Sequence, residues 1–309
     1  MSSHISFTCL YSPNRKIGQQ VELVVKSLVY LKIILSVSFV GSLAFISVAQ
    51  AESKTQQIYE VEKLIFNNSF KDDFANNRNQ KSICGMHDER ELSQDSVVGR
   101  AQRFGRLGGC SITMIGRTCA ITAGHCFGAL EEIHFNTELT RNEEGELNIP
   151  ALEDIYNVDP ESIVHYYAGI GEDFAVLRLA PNELTGELAG DSQGYLEVSF
   201  DGPAAGDLIR ITGYGVVPDD DVRTFSQQTH TGQITSFDLD AHILRHVADT
   251  TGGNSGSAVV DEATGKVIGV HTHAGCSIFG GANRSTLVAN NEPLQDAVTS
   301  CLAWENENL

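Results

Sequence analysis

From Ser82 onward the chain is written as short apolar runs broken by turn residues, and this constrains its fold more than any other feature. The runs include Cys110–Ile115, Cys119–Thr122, Phe174–Leu179, Leu208–Thr212, Gln233–Phe237 and Val267–Val270. Apolar residues alternate in several of them, and Gly, Asn, Asp or Pro punctuates between. That period of two belongs to strands buried on one face. Helical spacing occurs near the end, in Glu292–Leu302, where Leu294, Ala297, Val298, Cys301 and Leu302 share a face. The expectation is an all-β body with a C-terminal helix. Many evenly spaced strands suit a sandwich or barrels, and spacing alone does not choose between them.

The amino end reads differently. Residues 33–49 are apolar, Lys26 and Lys32 precede them, and Ala49-Gln50-Ala51 follows. A positive region, an apolar stretch and a small-x-small box predict a secretory signal over 1–51, cut after Ala51. The alternative is a retained membrane anchor. Residues 52–81 are polar and free of Cys, and are expected to be a propeptide. Cys9 lies in the removed part, which leaves Cys84, Cys110, Cys119, Cys126, Cys276 and Cys301. An even number in an exported chain predicts disulfides. No C-x-x-C occurs, so no metal site is expected.

The net charge is −19. So acidic a chain repels nucleic acid and anionic membrane surfaces. The acidic runs Glu143-Glu144-Gly145-Glu146 and Asp219-Asp220-Asp221 read as solvated loops rather than Ca²⁺ loops.

Three segments carry chemistry. In Ile121-Thr122-Ala123-Gly124-His125-Cys126 a His follows a strand. In Gly171-Glu172-Asp173-Phe174-Ala175-Val176-Leu177 an Asp opens an apolar strand. In Thr250-Thr251-Gly252-Gly253-Asn254-Ser255-Gly256-Ser257 a Ser sits in a glycine-rich turn. A serine hydroxyl needs a base in reach, and the base needs an orienting acceptor. His125 can serve as that base, Asp173 as its orienter and Ser255 as nucleophile. The N–H groups of Gly253 and Ser255 form a natural oxyanion pair. Each piece has a bland reading as a structural His, a turn Asp or a chance glycine motif. Their joint occurrence in the order His, Asp, Ser on an all-β exported chain favours the chemical one. The G-x-S-x-G elbow of α/β-hydrolases fits only partly, because residue 257 is Ser and that fold orders its residues Ser, Asp, His.

TAGHC, EDFAVLRL and TTGGNSGSAV resemble the signature blocks of the chymotrypsin/trypsin-like serine protease superfamily. The stretch from IRITGYG to GKVIGVHTHAGC, with Ser82-Ile83-Cys84-Gly85 and Asp88-Glu89-Arg90, is similar to its V8-like, glutamyl endopeptidase-like bacterial branch. The likeness runs from Ser82 to about Asn290. It implies two six-stranded antiparallel β-barrels with the active site in the cleft between them. The first barrel would span about 82–195, the second about 196–290, and the terminal helix about 291–303. It also implies a Cys110–Cys126 disulfide beside His125, which leaves Cys84–Cys119 and Cys276–Cys301 as the remaining pairs. Trypsin-like enzymes carry an Asp before the Ser. Asn254 stands there, so an amino terminus freed by processing has no acid to pair with. In V8-like enzymes the free amine helps form the substrate pocket, and a cut near Lys81-Ser82 or Ser82-Ile83 would supply it.

The resemblance pulls specificity in two directions. Asp249, six residues before Ser255, matches the pocket-floor acid of trypsin and would prefer Arg or Lys. His271 and Thr250 match the His and hydroxyl with which glutamyl endopeptidases hold an acidic side chain. The balance leans toward Glu before the scissile bond. The expected protein is a secreted or periplasmic monomeric serine endopeptidase acting on proteins or peptides. It has no cofactor, no nucleic-acid partner and no stable membrane association after signal cleavage. A catalytically silent binding protein on the same fold is the competing reading.

Overall fold

The computed structural model describes residues 81–309 apart from 104–105, 138, 140–147, 218–219 and 221. These residues belong to one compact unit, Tyr59–Leu309. The predicted signal, its cleavage site at Ala51, Cys9 and the propeptide as far as residue 80 lie outside the described residues. So do Glu143–Glu146 and Asp219 and Asp221 of the acidic runs.

The alternating runs form two sheets. In the second, Leu208–Gly213, Ala258–Asp261, Val267–His273, Asn283–Leu287, Ile243–His246 and Gln228–Asp238 pair in that order, and the last returns to the first. Every ladder is antiparallel, so six strands close a barrel. Alternate side chains fill it, among them Ile209, Ile211, Ile234, Leu244, Val259, Ile268 and Leu287. Closure removes the exposed edges that make open sheets associate.

The first sheet departs from the expected six-stranded barrel. It has seven strands, ordered Ile155–Asn157, Glu132–His134, Val98–Arg103, Arg106–Met114, Cys119–Thr122, Glu172–Arg178 and Val164–Gly169. It curls over Ile112, Met114, Ile121, Ile133, Phe135, Phe174 and Leu177 without a closing ladder among the described residues. Its last edge, Val164–Gly169, is exposed and slips register between Tyr167 and Gly169. Such a bulge twists a strand away from further pairing.

Two further expectations are corrected. Residues 82–92 were placed with the first barrel, but Lys81–Ser82 pairs with Thr250–Thr251, and Glu91–Leu92 pairs with Gln228 and Thr229. This amino-terminal arm therefore lies along the second barrel. The disulfides follow from that placement. Cys84 meets Cys276, and Cys119 meets Cys301, in place of Cys84–Cys119 and Cys276–Cys301. Cys110–Cys126 forms as the resemblance implied.

The terminal helix runs Glu292–Asn308, past the expected end near 303. Asn291 caps it by accepting the Leu294 N–H. It buries Leu294, Ala297, Val298 and Cys301 against the first sheet. Glu305, also buried, accepts N–H groups from Arg117, Thr118 and Cys119, which anchors the last turns.

Candidate active site

His125 lies in a 3-10 turn, Gly124–Ala129, straight after the buried strand Cys119–Thr122. Gly124 is required because a Cβ there would lie 2.0 Å from the Tyr166 carbonyl. The Cys110–Cys126 bridge ties the turn to the neighbouring strand. Asp173 opens strand Glu172–Arg178 and is fully buried. Its two oxygens hold His125 twice: Oδ2 lies 2.7 Å from Nδ1, and Oδ1 accepts the His125 backbone N–H at 2.9 Å. This contact suits the tautomer in which Nδ1–H donates to the carboxylate and Nε2 is left to accept. Thr286 of the second barrel clamps this strand from behind, because its Oγ1 donates to the Asp173 carbonyl at 2.8 Å.

Ser255 comes from the turn between Thr250–Thr251 and Ala258–Asp261 of the second barrel. Its carbonyl accepts the Ser111 N–H at 2.8 Å and lies 3.8 Å from Cys126 Sγ. The turn bearing Ser255 thus rests on the residue that follows His125. Gly253 has φ +104, and a Cβ there would lie 2.2 Å from the Tyr214 carbonyl, so only glycine fits. Within the turn, the N–H groups of Asn254, Gly256 and Ser257 donate to Thr251, His271 and Asn254 carbonyls. Those of Gly253 and Ser255 have no acceptor among the described residues, as an oxyanion pair requires.

The specificity candidates separate. Asp249 is buried, and its carboxylate accepts the N–H groups of Cys84 at 2.7 Å and Glu89 at 2.9 Å. Its backbone N–H donates to His230 Nδ1 at 2.8 Å. The acid expected at the pocket floor is instead saturated by the amino-terminal arm. A carboxylate with two charge-assisted backbone donors has little left to offer an incoming cation.

His271 lies beside the Ser255 turn, exchanging backbone hydrogen bonds with Gly256 and Ser257. Its Nδ1 and Thr250 Oγ1 are buried without a hydrogen-bond partner. Burial, with His246, His125 and His273 nearby, pushes the His271 pKa well below its ordinary value. His246 packs behind it with ring centroids 5.4 Å apart, and burial pushes His246 down to about 3. His273, on the same strand, stands 3.9 Å from Asp173 Oδ2.

Sequence reasoning missed Thr286, His246, Ser111 and Tyr167, whose ring lies 5.8 Å from that of His125. No local motif marks them. They reach the site only through strand pairing and the packing of one sheet on the other.

A barrel and a curled sheet that bring His, Asp and Ser to their junction define a chymotrypsin-like hydrolase architecture. The chain belongs to the family of the trypsin-like peptidase domain, whose model matches residues 110–270, a little over half of its length. It is a serine endopeptidase. A search of curated protein sequences returned no match. Among solved structures, a Glu endopeptidase in complex with MPD is 21% identical, with a TM-score of 0.51, over 72% of this chain and all of that one. The protease Anisep from Arthrobacter nicotinovorans is 16% identical with a TM-score of 0.53, covering 69% of this chain and 99% of its own. The thermostable serine protease AL20 from an extremophilic microorganism is 14% identical with a TM-score of 0.51, covering 68% and 98%. At these identities the likeness shows the fold.

Proposed function

We propose that this chain is an exported serine endopeptidase that cleaves after acidic residues, with His125, Asp173 and Ser255 as its catalytic triad. The observation that carries the reading is the 2.7 Å His125–Asp173 contact beside a Ser255 turn with free Gly253 and Ser255 N–H groups. Ser255 Oγ attacks the scissile carbonyl while His125 Nε2 takes its proton. The carbonyl oxygen becomes the oxyanion that those N–H groups receive. His125 then gives the proton to the leaving amine, leaving an acyl-enzyme, and water repeats the sequence to release the acid and restore Ser255. The Asp173 carboxylate, held against Nδ1, stabilises the imidazolium.

Acidic preference is supported by two buried polar atoms without a hydrogen-bond partner, Thr250 Oγ1 and His271 Nδ1, the latter on a residue whose backbone bonds Gly256 and Ser257 next to Ser255. Buried polar groups without partners call for a ligand or water. A neutral His271 offers an N–H to a substrate carboxylate, and the arriving anion raises its proton affinity. The saturation of Asp249 counts against Arg or Lys preference. The predicted signal and three disulfides support export. No helix among the described residues is long and apolar enough to cross a membrane.

A peptide-library profile of the purified protein, with Ser255→Ala as control, tests the reading. Cleavage after Glu that vanishes in Ser255→Ala is expected. Cleavage after Arg or Lys would return Asp249 to the pocket. Absence of Ser255-dependent cleavage would favour a silent binding protein.

A further inference from the structure

Beneath the nucleophile turn lies a buried cation that the chemistry above does not use. The Arg90 side chain is 1% exposed. Its Nη1 donates to Thr251 Oγ1 at 2.8 Å and to Asn254 Oδ1 at 3.2 Å, and its Nη2 donates to the Val216 carbonyl at 3.0 Å. Thr251 Oγ1 donates in turn to the same Val216 carbonyl, and Asn254 Oδ1 also accepts the Thr251 N–H at 3.0 Å. One guanidinium therefore joins both ends of the Thr251–Asn254 segment, which immediately precedes Ser255 and contains Gly253. The socket is tight. A Cβ on Gly215 would come within 2.3 Å of Arg90 Nη1 and 2.2 Å of Asn254 Oδ1.

A buried guanidinium needs a counter-charge. Asp88 provides it in a two-pronged pair, with Nε to Oδ1 at 2.9 Å and Nη2 to Oδ2 at 2.6 Å. Burial works to raise the Asp88 carboxyl, but the Arg90 hydrogen bonds and charge hold it below its ordinary value. The arm that carries Arg90 is itself fixed from both sides of the pair. Cys84 is bonded to Cys276, and Asp249 holds the Cys84 and Glu89 N–H groups. Arg223 Nη2 donates to the Arg90 carbonyl at 2.9 Å.

We infer that Arg90 is a positioning residue that sets the oxyanion turn from inside the chain, so that the turn forms without a freed amino terminus. The inference rests on the serine-endopeptidase reading of this site. Asn254 completes the argument. An acid at that position would suit an amine delivered by processing. An amide oxygen beside a permanent guanidinium needs no such delivery, because Arg90 is already part of the folded chain. On this reading the shape of the turn does not depend on processing upstream of Ser82.

The test uses wild type, Arg90→Met, Arg90→Lys and, as a control that removes an exposed arginine, Arg117→Met, each purified with its disulfides formed. Steady-state kinetics on a peptide amide are compared with the rate of covalent labelling by a fluorophosphonate, and circular dichroism reports folding. Arg90→Met is expected to lose about 10²-fold in kcat and in labelling rate, with KM held within about threefold. Arg90→Lys should recover part of both, as a cation without the planar fork. A folded Arg90→Met with wild-type kcat and labelling overturns the inference. Should Arg90→Met not fold, a chain left unprocessed upstream of Ser82 by blocking cleavage decides. Labelling at the processed rate supports the inference, and labelling that appears only after cleavage overturns it. A wild type that neither cleaves nor labels overturns the enzyme reading and this inference together. An active wild type with an equally active Arg90→Met overturns this inference alone.

Discussion

At the scale of single residues, the site depends on carboxylates with separate tasks. Asp173 faces His125 and orients it, whereas Asp249 faces the amino-terminal arm and ties it down. Asp173→Asn keeps the shape but favours the wrong imidazole tautomer, and kcat should fall by about 10⁴-fold with little change in folding. Steady-state kinetics beside a thermal melt separate the two effects. His271→Gln removes the proposed carboxylate partner. The ratio of kcat/KM for a Glu peptide over its Gln counterpart should drop by roughly 10- to 100-fold, as expected for losing one hydrogen bond to a charged group. An unchanged ratio would remove His271 from the pocket.

At the scale of elements, the C-terminal helix is held by more than its apolar face. Cys301 ties it to the strand that leads to His125, and Arg178 stacks over the Trp304 ring at 4.0 Å. Glu305 gathers the N–H groups of residues 117–119, which would otherwise be buried without acceptors. Glu305→Ala should cost about 1–3 kcal/mol, the penalty for orphaned buried donors. The paired change Cys119→Ser with Cys301→Ser should cost about 2–5 kcal/mol, since it releases a loop with a sequence separation of 182. Both losses are read as lower denaturation midpoints. Activity at temperatures where the protein stays folded should be retained.

At the scale of the whole molecule, buried histidines set an acid limit. His246 is pushed to about 3 by burial, His271 well below its ordinary value, and burial also lowers His134 despite the pull of Glu132. In the unfolded chain each titrates near 6.5. The folded state refuses the proton that the unfolded state accepts. Their contribution is therefore full above about pH 6.5 and is lost as pH falls from there toward the folded values. Each such group adds a slope of up to about 1.4 kcal/mol per pH unit. The unfolding free energy should decline between pH 6.5 and 4.5, above the range where most carboxylates titrate. His246→Phe should flatten that decline, and an unaltered slope would show that His246 does not contribute.

The sequence alone carried the strand pattern, the terminal helix and the three blocks that hold His125, Asp173 and Ser255. These are local signals: a period of two, a cap, a glycine turn. Only the tertiary structure decided which cysteines meet, because disulfide partners are set by how sheets and arms pack across nearly the whole chain. It likewise turned Asp249 toward Cys84 and Glu89, and brought Arg90, Thr286 and His246 to the site. The amino-terminal arm was read with the first barrel because it precedes it in the chain. It lies on the second because its backbone donors and acceptors find their partners there. Spacing along a chain predicts which face a side chain takes within its own element, whereas its partner from another element is chosen by packing and hydrogen-bond satisfaction in three dimensions.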